Sequence, residues 1–343
     1  MGKKLFDYVI GNPPYQEDTQ GTSDTPVYDR FMDSAFTVAD KVELVHPARF
    51  LFNAGKTPKA WNEKMLNDPH FKVLQFEQDS GKIFPNTDIK GGIAISYRDA
   101  NIDYGAIEVF THFKELDSIK RKVSGSNHFL SEIIYAPESY KFSKTIHEVM
   151  PGILKLLSKG HDYDLTTNIF DKLDGIAFFD KKLNDGYEYI QIYGRQKNDR
   201  IYKYIRKDFI AQHENLEKWK VFLPKSNGSG AIGEVLSTPL CGTPLCGHNQ
   251  SFISFGSFDT EFEANACLKY IKTKFARACL GILKITQHNA KATWRYVPLQ
   301  DFSSNSDIDW SKSVHEIDLQ LYRKYGLSEE EIAFIETHVK EMA

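Results

Sequence analysis

Short apolar runs alternating with polar turns and helical stripes organise the first part of the chain. Phe6, Tyr8, Val9 and Ile10 form a run suited to a buried parallel strand. Gly11 permits a close turn, and Pro13 and Pro14 cannot donate ladder hydrogen bonds, so the strand must end there. Gln16 to Pro26 is a polar loop. Tyr28 to Ala39 places Phe31, Ala35, Phe36 and Val38/Ala39 at helical spacing. Val42 to Val45 reads as a second strand ending at His46-Pro47, and Ala48 to Leu51 and Pro58 to Leu66 read as helix. Phe71 to Phe76 is a third strand, and Gly91 to Tyr97 a fourth that opens on a glycine pair. Strand, helix, strand, helix, strand, strand is the second half of a doubly wound sheet.

Beyond Tyr104 the pattern changes. Ile107, Val109 and Phe110 lead into a charged helix that reaches Lys122, and Ser124 to Asn127 reads as a domain linker. Phe129 to Glu148 is polar-aromatic and has no clear period. Pro151 to Lys159 reads as a short helix. From 162 to 300, short apolar-aromatic stretches alternate with Asp-Gly and Gly-Ser turns, which predicts a mixed β-rich module. Ser328-x-x-Glu331 is a capping box that opens a C-terminal helix. The domain expectation is therefore 1–125, 126–300 and an acidic helical tail at 301–343.

Charge sharpens this division. The net charge of −3 disfavours a nucleic-acid partner until the tail is set apart. The tail holds ten acidic and four basic residues, which leaves 39 basic against 36 acidic elsewhere. No apolar run is long enough to span a membrane, and the start lacks the pattern of a secretory signal, so a cytoplasmic protein is expected. Cys241 and Cys246 lie in a tandem Thr-Pro-Leu-Cys-Gly repeat before His248. Their spacing fits no common zinc module, so these cysteines are expected to be small buried side chains and no metal is expected.

The chemistry sits at Asn12-Pro13-Pro14-Tyr15. Asn12 offers a side-chain carbonyl and Pro13 a backbone carbonyl, with no neighbouring proline N–H to compete. A planar amino group held between them donates both hydrogens, which draws its lone pair out of conjugation and towards an electrophile. Tyr15 adds a ring on which a flat substrate can stack. Asp7-Tyr8-Val9-Ile10-Gly11-Asn12-Pro13-Pro14-Tyr15 resembles the catalytic motif of adenine-specific DNA methyltransferases. The likeness is to methylases of restriction-modification systems with a C-terminal target-recognition domain.

The resemblance implies the catalytic half of a doubly wound methyltransferase sheet, then a mixed α+β recognition domain and a C-terminal helix. It also implies S-adenosylmethionine as methyl donor, a flipped adenine as acceptor and double-stranded DNA as partner. Phe84 matches the family's second base-stacking aromatic. In that family a cofactor half with a glycine-rich turn precedes the motif strand, whereas four residues precede it here. The expectation is that a second polypeptide or upstream sequence supplies it. Gly228-Ser-Gly230-Ala-Ile-Gly233 has the formal spacing of such a turn, but Pro239 and Pro244 follow where a helix must start, so it reads as a loop.

Two basic runs suit a phosphate backbone. Arg195, Lys197, Arg200, Lys203, Arg206 and Lys207 are interleaved with Tyr202 and Tyr204, and 264–300 is free of acidic residues yet contains Lys284, Lys291 and Arg295. A DNA-binding or specificity subunit without turnover is the competing reading, and a protein-glutamine methylase a third. Binding of S-adenosylmethionine separates the first two.

Overall fold

The opening apolar run is a strand, β1 (Phe6–Gly11), and it ends before the two prolines. A two-residue antiparallel pair follows, β2 (Gln16–Glu17) with β3 (Thr25–Pro26). Next come helix α1 (Tyr28–Val38), strand β4 (Ala39–Pro47), helix α2 (Lys59–Leu66) and strands β5 (Phe71–Glu77) and β6 (Ile93–Asp99). The computed structural model describes residues 4–17, 25–53, 55–85, 89, 91–111, 113–228, 231–284 and 287–342. The polar loop from Gln16 to Pro26 is described only at its two ends; 18–24 lie outside the described residues.

These elements belong to one compact unit, residues 1–113. Its sheet has the order β1-β4-β6-β5. β1 runs parallel to β4, and β6 runs antiparallel to both β4 and β5. Three strands therefore share a direction, and β6 is inserted against them. The sheet is mixed because β6 pairs antiparallel with β5; among its described residues the link between them carries a 3-10 turn, Ser80–Lys82, and no longer helix. Alternation in β4 buries Val42, Leu44 and His46 and turns Lys41 outward. The buried face packs on Met32, Phe50, Trp61, Met65 and Phe71.

The second unit, residues 114–343, begins with helix α3 (Lys114–Val123), ahead of the expected boundary at 125/126. It continues through β7 (Ile134–Tyr135), α4 (Lys144–Val149), α5 (Ile169–Leu173), β8 (Tyr189–Gln196), β9 (Asp199–Arg206) and β10 (Trp219–Pro224). Then come β11 (Leu240–Gly242), β12 (Cys246–His248), β13 (Phe252–Phe258), α6 (Glu261–Lys272), α7 (Lys274–Gly281), α8 (Val314–Lys324) and α9 (Glu329–His338). One sheet has the order β11-β10-β13-β7, and another β12-β8-β9. Tyr140, Phe142, Phe170, Phe178, Ile190 and Ile205 centre its core.

Two expectations are corrected here. The β-rich reading fails over 261–281, which form α6 and α7. A Thr260–Glu263 capping box starts α6, with the Glu263 N–H donating to the Thr260 hydroxyl. The acidic tail is neither a separate domain nor a single helix. Helix α9 packs within the second unit through Lys122 to Glu331 and Lys274 to Glu336, and the Tyr322 hydroxyl of α8 donates to Glu336. The Asp318 carboxylate of α8 accepts the backbone N–H groups of Lys274 and Phe275 at 3.0 and 2.8 Å, which caps α7. The tail's negative charge is thus partly spent on internal partners.

Candidate active site

Because β1, β4 and β5 share a direction, their carboxyl ends lie on one edge of the N-terminal sheet. That edge carries Asn12 to Tyr15 after β1, Ala48 and Arg49 after β4, and Gln78 to Phe84 after β5. It is held by close backbone contacts. The Ala48 N–H donates to the Gly92 carbonyl at 2.9 Å. Gly92 has φ of +80°, and a Cβ there would lie 2.5 Å from the Glu77 carbonyl oxygen, so only glycine fits.

The Asn12 turn is anchored at both ends. Gly11 is in register with Leu44, and the Val27 N–H donates to the Tyr15 carbonyl at 3.1 Å, which ties the turn to the start of α1. Asn12 and Pro14 are exposed; Pro13 and Tyr15 are half-buried. The Tyr15 hydroxyl is buried without a well-formed hydrogen bond, so it points inward. Burial raises its pKa, and the neighbouring Asn12 side chain opposes the rise. Phe84 is half-buried, and its N–H donates to the Ser80 carbonyl at 2.8 Å. Residues 86–88 next to it lie outside the described residues.

Behind the turn is a buried polar layer that the sequence reading did not single out. The His46 ring stacks on Tyr28 at 6.1 Å. Its Nδ1 faces the Pro47 carbonyl at 3.1 Å and its Nε2 the Ser96 hydroxyl at 2.8 Å. A carbonyl only accepts, so Nδ1 carries the proton and Nε2 accepts from Ser96. Burial pushes the His46 pKa down to about 4, with the Pro47 carbonyl pulling the other way, so the ring is neutral. Asp29, in the first turn of α1, is buried, and its Oδ1 makes no hydrogen bond. Helical register and the Tyr28–His46 pairing are the signals that could have drawn these residues together.

In the second unit the basic residues separate into two groups. β8 and β9 form a ribbon whose two-residue turn, Lys197-Asn198, has φ of +46° and +73°, the left-handed pair a tight hairpin requires. Arg195, Lys197 and Arg200 are exposed at this tip, and Lys291 and Arg295 are exposed elsewhere. The rest of the ribbon's positive charge is internally matched. Lys203 is buried, with its ammonium 2.8 Å from Asp174 and 2.6 Å from Asp180. The Arg206 guanidinium is paired with Asp208 and lies over the Tyr187 ring, and Lys207 pairs with Glu217 and Glu188. Lys284 is buried and donates to the Asn227 carbonyl. These four side chains, expected on a phosphate-facing surface, are instead occupied by the protein itself.

The cysteine repeat is also accounted for by protein contacts. Cys241 donates to Asn265, Cys246 is buried, and the His248 ring meets the Asn249 carbonyl and the Ser254 hydroxyl. The glycine loop after β10 leads to β11, with Gly233 against the backbone of His338 and Val339.

Comparison with known proteins bears on the first unit. Residues 1–84, which include the Asn12 turn and Phe84, match the family model of the Eco57I restriction-modification methylases. This segment is similar to that of restriction-modification methylases. The chain is also similar to an uncharacterized adenine-specific methylase of Mycoplasma pneumoniae, 28% identical over 134 residues. That alignment covers 36% of this chain and 32% of the relative, so the chain spans about a third of the relative's length. Among solved structures, the type IIG restriction endonuclease BpuSI aligns with a TM-score of 0.35 at 8% identity, covering 92% of this chain and 48% of that one. The type IIL restriction-modification enzyme MmeI, in complex with DNA, aligns with a TM-score of 0.37 at 9% identity, covering 97% and 56%. Scores this low do not establish a shared fold.

Among the described residues, no helix is long and apolar enough to cross a membrane.

Proposed function

We propose that the chain carries the catalytic and target-binding parts of an adenine-specific DNA methyltransferase of a restriction-modification system. The observation that carries this reading is the exposed Asn12 turn at the carboxyl edge of β1, inside the segment that matches the methylase family. The Asn12 side-chain carbonyl and the Pro13 backbone carbonyl accept the two hydrogens of the adenine 6-amino group. The nitrogen lone pair is then directed away from the ring. Tyr15 and Phe84 hold the extruded base flat, which fixes the nitrogen in one orientation and excludes water. S-adenosylmethionine, when bound, supplies an electrophilic methyl group.

The fit of that cofactor to the described residues is partial, and Asn12 is the neighbour they offer. The outer edge of β1 has no paired strand among the described residues, and Leu5, Phe6 and Ile10 there are 75, 57 and 72% exposed. A strip this apolar on an open edge is a template for another strand. In this proposal a cofactor-binding half, from a partner chain or from preceding sequence, covers it.

Asn12→Ala tests the catalytic role. Methyl transfer to duplex DNA should be abolished while affinity for DNA stays nearly intact, because phosphate contacts supply most of the affinity. Loss of affinity to the same degree as activity would make Asn12 a structural residue.

A further inference from the structure

Four cationic side chains from separate points of the C-terminal unit meet around one cavity of about 580 Å³. Arg195 comes from the end of β8, Lys197 from the hairpin turn, Arg200 from the start of β9, and Lys225 from just after β10. Among the described residues, Arg195, Lys197 and Lys225 make no ion pair, and the lining holds a single carboxylate, Asp171 of α5. Further along the same ribbon, Lys203, Arg206 and Lys207 are each matched with carboxylates. Positive charge is therefore neutralised along the ribbon and left open at its tip. Clustered like charge in a concave wall costs free energy in the absence of an anion and focuses the field that attracts one.

The scaffold under these charges is fixed by backbone bonds. The Lys225 N–H donates to the Ser251 carbonyl at 3.0 Å, and the Lys225 carbonyl accepts from the Asn289 N–H at 2.8 Å. The Arg200 guanidinium donates to the carbonyls of Ser237 and Thr238, which aims it along the cavity wall. We infer that this cavity seats the phosphate backbone of duplex DNA, with the β8–β9 tip entering the adjoining groove. The inference rests on the reading of the chain as a DNA methylase and names the surface that grips the target. A polymer suits the site better than a free nucleotide. Its one aromatic lining residue, Phe252, is buried and offers no open ring for a base, whereas the exposed tip of the β8–β9 hairpin is the kind of two-stranded element a major groove admits.

The test measures the full chain's binding to a short fluorescent duplex by anisotropy across a salt series. Lys225→Ala should weaken binding roughly ten-fold and reduce the slope of log affinity against log salt by about 0.9, the value for one phosphate contact. Asp171→Asn should tighten binding, a gain that misfolding cannot produce. Lys155→Ala, on an exposed lysine outside the cavity, should leave the slope unchanged. If wild type binds duplex but Lys225→Ala and Asp171→Asn both leave affinity and slope unchanged, the cavity assignment is overturned and the methylase reading stands. If wild type binds no duplex even at low salt, both fall. Calorimetric titration with inorganic phosphate is the second arm. Saturable phosphate binding that Lys225→Ala removes, with duplex binding untouched, would assign the cavity to a free anion and overturn the proposal.

Discussion

Acidification should loosen the N-terminal unit through one histidine. His46 is fully buried and neutral, and its pKa is about 4 against an ordinary 6.5. Unfolding exposes the ring to water, where it takes up a proton at the ordinary value. The unfolded state thus binds more protons between those limits. The stability this ring contributes is complete above its unfolded pKa and is lost as pH falls from 6.5 towards 4. At about pH 5 the loss is about 2 kcal/mol, or about 30-fold in the opening equilibrium. The assay is hydrogen exchange by mass spectrometry on peptides covering β4 and β6, corrected for intrinsic rates, in wild type and in His46→Gln. Gln can replace the contact to Ser96 but does not titrate. Wild type should lose about 30-fold of its protection relative to the variant between neutral pH and about pH 5. An unchanged ratio across that range would refute the reasoning and place the ring in contact with water.

The remaining predictions concern charge, capping and the open edge. Lys203→Ala removes the buried partner of two carboxylates and should destabilise the C-terminal unit by about 2 kcal/mol in urea melts, a loss kept this small because those carboxylates are exposed enough to rehydrate. It should leave the salt slope of DNA binding where it was. Asp318→Ala removes the acceptor for two N–H groups at the start of α7 and should cost about 1–2 kcal/mol by the same melts. Ile10→Lys should change the chain's own melting by less than about 0.5 kcal/mol, since the side chain stands in solvent. It should nonetheless weaken association with a cofactor-binding half, measured by light scattering.

The N-terminal sheet was legible because β1, β4, β5 and β6 carry apolar runs or alternation bounded by Gly and Pro, and α1 shows a single stripe. Helices α6 and α7 were not. Ala264, Ala266, Cys267, Tyr270 and Ile271 are all buried, so apolar residues spread round α6 and blur its period. The capping box at Thr260 was the usable signal for α6. Of the site, the Asn12 turn could be read because its chemistry is contiguous in sequence. The fate of the basic ribbon could not. Asp174 and Asp180, which hold Lys203, come from a distant loop, and nothing local distinguishes Lys203 from Arg200. Lys225 was missed for the same reason: it joins the hairpin tip only through the fold.

The central claim is that the Asn12 turn directs a methyl group to the amino nitrogen of adenine in DNA. The most direct measurement is nucleoside mass spectrometry of duplex DNA after incubation with S-adenosylmethionine and the chain, supplemented with a cofactor-binding half if one is separately encoded. The account predicts N6-methyladenine at a defined sequence with wild type and none with Asn12→Ala. Methylated cytosine in place of adenine, or N6-methyladenine formed equally well by the Asn12→Ala variant, would contradict it.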